Sequence, residues 1–118
     1  MLHIALAMIA AYLLGAIPFG YLIVRFAQGK DIRQVGSGNI GATNVLRSGK
    51  KWQGVLTLLL DGGKGYLSVC VARWLLGPDA WTWMTLAAFL AVFGHIFTVF
   101  LHFKGGKGVA TGCGAYLA

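Results

Sequence analysis

The chain contains no glutamate, and its only carboxylates are Asp31, Asp61 and Asp79. A pair of carboxylates sharing general acid and base work is therefore not expected. Cysteine is equally scarce. Cys70 and Cys113 lie in apolar runs and read as small buried hydrophobes, not as a redox pair. No histidine or cysteine cluster has metal-ligand spacing, so neither a metal nor an organic cofactor is expected. Charge is missing over long stretches: residues 4–24 and 80–101 carry none. Each run exceeds the roughly 20 residues needed to cross a hydrocarbon core as a helix.

What remains is strongly apolar. Hydrophobic residues make up 58% of the chain, against about 45–50% in soluble domains. The mean hydropathy is +0.73. The expected fold is an all-α integral membrane bundle in one domain. Its spans fall at about residues 4–24, 52–76 and 80–101, with the start of a fourth at 109–118. Gly15, Pro18 and Gly20 interrupt the first span, as a kink or a close helix contact would require. The fourth run covers about half a membrane. A helix end in hydrocarbon leaves carbonyls unpaired, so the chain reads as a piece of a longer protein. A cleaved signal peptide is a poor fit, because no basic residue precedes the first apolar run.

The net charge of +7 suits nucleic acid, anionic lipid or anionic substrates. The apolar spans argue against nucleic acid and for a lipid bilayer. Arg25, Lys30, Arg33, Arg47, Lys50 and Lys51 follow the first span, and Lys104 and Lys107 follow the third. These loops should be cytoplasmic and the N-terminus outside. Trp52, Trp74, Trp81 and Trp83 lie near span ends, where indole prefers the interface.

Two loops carry the chemistry. The first runs from Gly36 through Ser37, Gly38, Asn39, Ile40, Gly41, Ala42 and Thr43 to Asn44, with Arg47 beyond. Glycines let backbone N–H groups converge on an anion. Thr43 or Asn44 is a candidate cap for a short helix. Arg47 supplies a fork suited to phosphate oxygens. The second runs from Lys104 through Gly105, Gly106, Lys107 and Gly108 to Thr111, at the start of the fourth span. A helix start offers unpaired N–H groups and a positive dipole end, and Lys107 adds a full charge. Gly36, Gly38 and Gly41 also fit a dinucleotide fingerprint, but a spanning helix precedes them where a strand is required. The second loop is not a Walker A loop, since Gly108 follows Lys107 in place of Ser or Thr. Asp61 and Lys64 are spaced to form an ion pair on one helix face. His95 reads as a packing histidine, and His102 as an interface residue.

These strings, in this order, resemble the bacterial acyl-phosphate:glycerol-3-phosphate acyltransferase family, PlsY. The resemblance rests on Ser37 to Asn44 with Arg47, on Asp61 to Gly65, and on Gly94-His95 through Phe100 to Thr111. It implies a seven-helix membrane enzyme of bacterial phospholipid synthesis in the plasma membrane. Such an enzyme moves a fatty acyl group from acyl phosphate to the sn-1 hydroxyl of glycerol 3-phosphate. Lysophosphatidic acid and phosphate are the products, and acyl-CoA is not used. In keeping with that, no histidine here is followed by an aspartate at the fifth position, so the dyad of acyl-CoA-dependent acyltransferases is absent.

By the resemblance, Ser37, Arg47 and Lys107 are the catalytic candidates. Gly38, Asn39, Thr43, Asn44, Lys104, Gly105, Gly106 and Gly108 are phosphate-binding candidates. Ser37 is either a nucleophile or a hydrogen-bonding group; no adjacent base is visible to activate it. Thr98 stands where the family usually has proline. The family's third motif, with a histidine and an asparagine, lies beyond these residues. The competing readings are an inactive truncated fragment of such an enzyme and a small four-helix multidrug transporter. The latter needs a free membrane carboxylate. Acyl-chain preference and oligomeric state are left open by the sequence.

Overall fold

Proline and glycine punctuation decides where the first apolar run breaks. The computed structural model describes residues 1–118, and helix α1 (Leu2–Ala16) stops just before Pro18. Proline's ring disfavours the helical region for the residue ahead of it. Ile17 accordingly adopts φ −61° and ψ 115°. Helix α2 (Phe19–Gln28) then resumes, and Gly29 closes it in the left-handed conformation at φ 67°. The expected first span is thus two helices in series. Together they run from Leu2 to Gln28, 27 residues, long and apolar enough to cross a membrane.

A short helix α3 (Ala42–Ser48) lies in the first loop, and α4 (Lys51–Leu76) is the longest element at 26 residues. Gly77 and Pro78 turn the chain into α5 (Trp81–Ile96). The third apolar stretch, Trp81–Leu101, is 21 residues and long enough to cross a membrane, but it is not one continuous helix. Helix α5 ends at Ile96, and Val99–Leu101 form a 3₁₀ turn. Thr98 has φ −70°, which proline also adopts, and its hydroxyl donates to Ala16 O. His102 and Phe103 then take positive φ, 54° and 65°, and reverse the chain. The final helix, α6, is Val109–Leu117.

The reversal changes the character of residues 102–108. They do not lie as an open surface loop. Phe103 N donates to Thr98 O at 2.7 Å, Gly105 N to Ile96 O at 2.8 Å and Gly106 N to His95 O at 3.1 Å. The segment therefore folds back along the last turn of α5, and α6 starts level with the middle of α4.

Lipid tails are as apolar as leucine, so close packing of small residues holds such helices together. The interior where α1, α4, α5 and α6 meet is built from Ala7, Ala11, Val69, Ala72, Met84, Ala87 and Ala115. At Gly15 and Gly94, α1 and α5 approach so closely that an added Cβ would strike the opposite backbone. At Gly65 and Gly114 the same holds between α4 and α6. A second cluster, Val24, Ile32, Ile40, Val45 and Leu101, pins the first loop beneath α2 and α3. Large hydrophobics such as Leu6, Ile9, Leu67 and Phe89 face outward, as a lipid-facing surface requires.

Candidate active site

The first loop is organised by one side chain. Asn44 is buried, and its Nδ2 donates to Val35 O and to Asn39 O, each at 2.9 Å. Its Oδ1 accepts from Ser37 N at 3.2 Å. An asparagine holds two acceptors and a donor at once because its amide carries both functions. Gly36 (φ 55°) and Gly38 (φ 76°) supply the left-handed turns that let the loop close around it. Asn39 Oδ1 accepts from Gly41 N at 2.7 Å, and Ser37 Oγ accepts from Asn39 N at 3.3 Å. The expected capping role is not what Thr43 or Asn44 performs. Gly41 occupies the cap position, with no side-chain cap bond, and both residues sit inside the first turn of α3.

Arg47 lies in the last turn of α3 and has no carboxylate partner. The aspartate–cation pairs of the chain are Asp31 with Arg33 at 2.8 Å and Asp61 with Lys64 at 3.2 Å. The hydrogen bonds of Arg33 hold the Asp31 carboxyl below its ordinary range. Lys107 is likewise unpaired.

At the second loop, the amides of Gly105 and Gly106 are already spent on Ile96 O and His95 O. The first bond of α6 runs from Gly112 N to Gly108 O at 2.8 Å. The N–H groups at the helix start, from Val109 to Thr111, precede that bond, and such groups have no partner within a helix. Gly108, at φ 82°, turns the chain into this helix start.

A third group sits below the loops. Asp61 lies ten residues into α4, roughly 15 Å along its axis at about 1.5 Å per residue. Lys64 Nζ is within hydrogen-bond reach of His95 Nδ1 at 2.7 Å and Ile17 O at 2.8 Å, and pairs as an ion with Asp61 Oδ1 at 3.2 Å, an oxygen left without a hydrogen bond. Asp61, Lys64 and His95 are all buried. A carboxylate and an ammonium at this depth are tolerated because each neutralises the other.

All three groups border one cavity of about 710 Å³. Ser37, Asn39, Thr43, Asn44 and Arg47 enter it from the first loop and α3. Lys107 and Gly108 enter it from the start of α6. Gly38, Lys104, Gly105 and Gly106 do not line it. Asp61 and His95 do, which sequence reasoning had set down as an internal ion pair and a packing residue. Cys113, expected to be buried, is exposed and also borders the cavity. The remaining wall is largely apolar: Leu58, Leu59, Tyr66, Val109 and Leu117. The signal for Asp61 and His95 was present in the sequence. An ionisable residue inside an apolar span is a functional candidate by default.

The arrangement places two free cations and a set of helix-start amides at one end of a cavity whose far wall is hydrocarbon-like. That combination fits an amphiphile with an anionic head.

Comparison with known proteins agrees with that chemistry. The family profile described as glycerol-3-phosphate acyltransferase matches residues 5–118. A glycerol-3-phosphate acyltransferase of Jannaschia sp. (strain CCS1) is 56% identical over 117 residues, which is 99% of this chain and 56% of that protein. One from Paramagnetospirillum magneticum is 54% identical over 118 residues, 100% of this chain and 57% of that protein. The chain thus spans a little over half the length of these curated relatives. Among solved structures, the glycerol 3-phosphate form of PlsY, an integral membrane glycerol 3-phosphate acyltransferase, superposes with a TM-score of 0.86. It is 46% identical, with 95% of this chain and 55% of that one covered. The lysophosphatidic acid form superposes with a TM-score of 0.83 at 41% identity, with 97% and 55% covered.

Proposed function

We propose that this chain, which belongs to the glycerol-3-phosphate acyltransferase family, holds the headgroups for acyl transfer from acyl phosphate to glycerol 3-phosphate. The sn-1 hydroxyl oxygen attacks the acyl carbonyl carbon. The bond from that carbon to the phosphate oxygen breaks, and phosphate leaves with the electron pair. The hydroxyl proton ends on the departing phosphate. Lysophosphatidic acid and inorganic phosphate result.

The observation that carries this reading is the meeting of Ser37, Arg47 and Lys107 in one cavity with an apolar wall. Two phosphate dianions repel strongly at short range. Arg47, Lys107 and the helix-start amides offset that repulsion, while the acyl chain lies along Leu58, Leu59 and Leu117. Acyl phosphate is already activated, so positioning and charge stabilisation suffice. Ser37 acts as a hydrogen-bonding group, because the neighbour of its Oγ is the Asn39 amide and not a base. The basic loops face the cytoplasm of a bacterial plasma membrane, with the N-terminus outside.

A cation exporter fits less well. Such a transporter needs a carboxylate free to exchange protons, and Asp61 is held by Lys64 at 3.2 Å.

The test is acyl transfer from acyl phosphate to glycerol 3-phosphate, measured in membranes containing the protein. Ser37→Ala and Arg47→Ala are each expected to lower the rate by at least about a hundredfold, the loss typical of a removed transition-state donor. Near-normal transfer in both variants would remove the assignment.

A further inference from the structure

His95 is a titratable side chain in the cavity wall whose hydrogen-bonding role is fixed by its neighbours. The Lys64 ammonium has three protons and no acceptor. It lies within hydrogen-bond reach of Ile17 O and His95 Nδ1, with Asp61 Oδ1 3.2 Å away as its counter-ion. Nδ1 must therefore be unprotonated, and the ring proton sits on Nε2. Asp61 Oδ1 lies 3.9 Å from Nδ1 and closes off that side of the ring. Nothing in the chain accepts from Nε2, although His95 itself lines the cavity.

The surroundings of Nε2 place it between the two phosphate loops. A Cβ on Gly106 would strike His95 Nε2 and would approach Asn39 Oδ1 at 3.2 Å. The lack of a side chain at Gly106 thus leaves Nε2 uncovered at the junction of the first and second loops. This gives Gly106 a use other than an amide donor, since its N–H is occupied by His95 O.

We propose that His95 is a substrate-contacting residue that donates an Nε2–H hydrogen bond to a phosphoryl oxygen in the cavity, with Lys64 and Asp61 as positioning residues that set its tautomer. The imidazole is a neutral donor and transfers no proton. A donor aimed from the floor of the cavity complements Arg47 and Lys107, which come from the loops above. The inference rests on the acyltransferase reading for its substrate but not for its tautomer.

Two substitutions separate the donor from the anchor. His95→Gln places an amide N–H near the position of Nε2. His95→Asn keeps an acceptor near the position of Nδ1 for Lys64 and puts nothing at Nε2. With acyl transfer as readout, His95→Asn is expected to lose about ten- to a hundredfold in kcat/KM, the scale of one hydrogen bond to a charged group. His95→Gln is expected to stay within a few-fold of the unsubstituted protein. Full activity in His95→Asn, or equal loss in both variants, overturns the proposal.

An independent arm uses ¹⁵N-histidine-labelled protein in detergent, with His95→Gln to assign the resonance. The His95 ring should show an unprotonated Nδ1 and a protonated Nε2. Adding glycerol 3-phosphate or inorganic phosphate should shift Nε2. A protonated Nδ1, or an Nε2 indifferent to both anions, overturns the proposal. If the unsubstituted protein transfers no acyl group, the acyltransferase reading fails, and this arm still decides the tautomer and the anion contact.

Discussion

Asn44 shows how one side chain can decide the shape of a glycine-rich loop. It makes three hydrogen bonds to the loop backbone from a buried position. Each is worth about 0.5–1.5 kcal/mol, and an orphaned buried partner costs more. Asn44→Ala should therefore lower the thermal unfolding midpoint in detergent and disorder the first loop. Asn44→Asp should fare no better, because a carboxylate cannot donate to Val35 O and Asn39 O. Recovery of stability by Asn44→Asp would contradict this account. At this scale the sequence was only partly legible. The glycines and the short polar residues marked the loop as chemically active. Whether Asn44 faced an anion or the loop's own carbonyls depended on turns at Gly36 and Gly38 that composition does not specify. His95 stood out as an ionisable residue in an apolar run, but such a run gives no sign of what a histidine's two nitrogens touch.

Among the helices, the seating of α6 against α4 matters most, since it brings Lys107 and Gly108 to the cavity. That contact is made through glycine. A Cβ at Gly114 would collide with the backbone of Gly62, and one at Gly65 with the carbonyl of Thr111. Gly114→Ala should cost about 1–3 kcal/mol, as overpacking of a close contact does. Gly63→Ala is the matched control in the same region, because nothing lies within 4 Å of its added Cβ. There the better helix propensity of alanine should leave stability unchanged or raised by up to about 1 kcal/mol. Thermal melts of the two variants in one detergent check the contrast, and equal destabilisation would count against glycine-mediated packing. The long apolar runs and the break at Pro18 were legible because hydropathy and proline geometry act locally. The end of α5 at Ile96 was not. Apolar residues continue to Leu101, and the reversal uses positive φ at His102 and Phe103, residue types that give no warning of it.

Over the whole molecule, the fold brings two loops distant in sequence to one end of a helix bundle. The basic residues foretold that they share a side. They did not foretell that residues 102–108 fold inward, so that α6 begins level with the middle of α4. That depth turns two surface loops into one cavity with a polar end and an apolar wall. It also places the Asp61–Lys64–His95 group at the floor, where an ion pair buried for stability alone would gain little.

The central claim is that Arg47 and Lys107 serve one shared anion-binding cavity. It is tested most directly by a double-mutant cycle on glycerol 3-phosphate affinity, measured by calorimetry on the protein in detergent. Arg47→Ala and Lys107→Ala are each expected to weaken binding about tenfold or more, the scale of a lost charged hydrogen bond. The double variant should depart from the sum of the two by more than about 0.5 kcal/mol, as residues acting on one ligand do. Additive losses within about 0.3–0.5 kcal/mol, the behaviour of independent sites, would contradict the account.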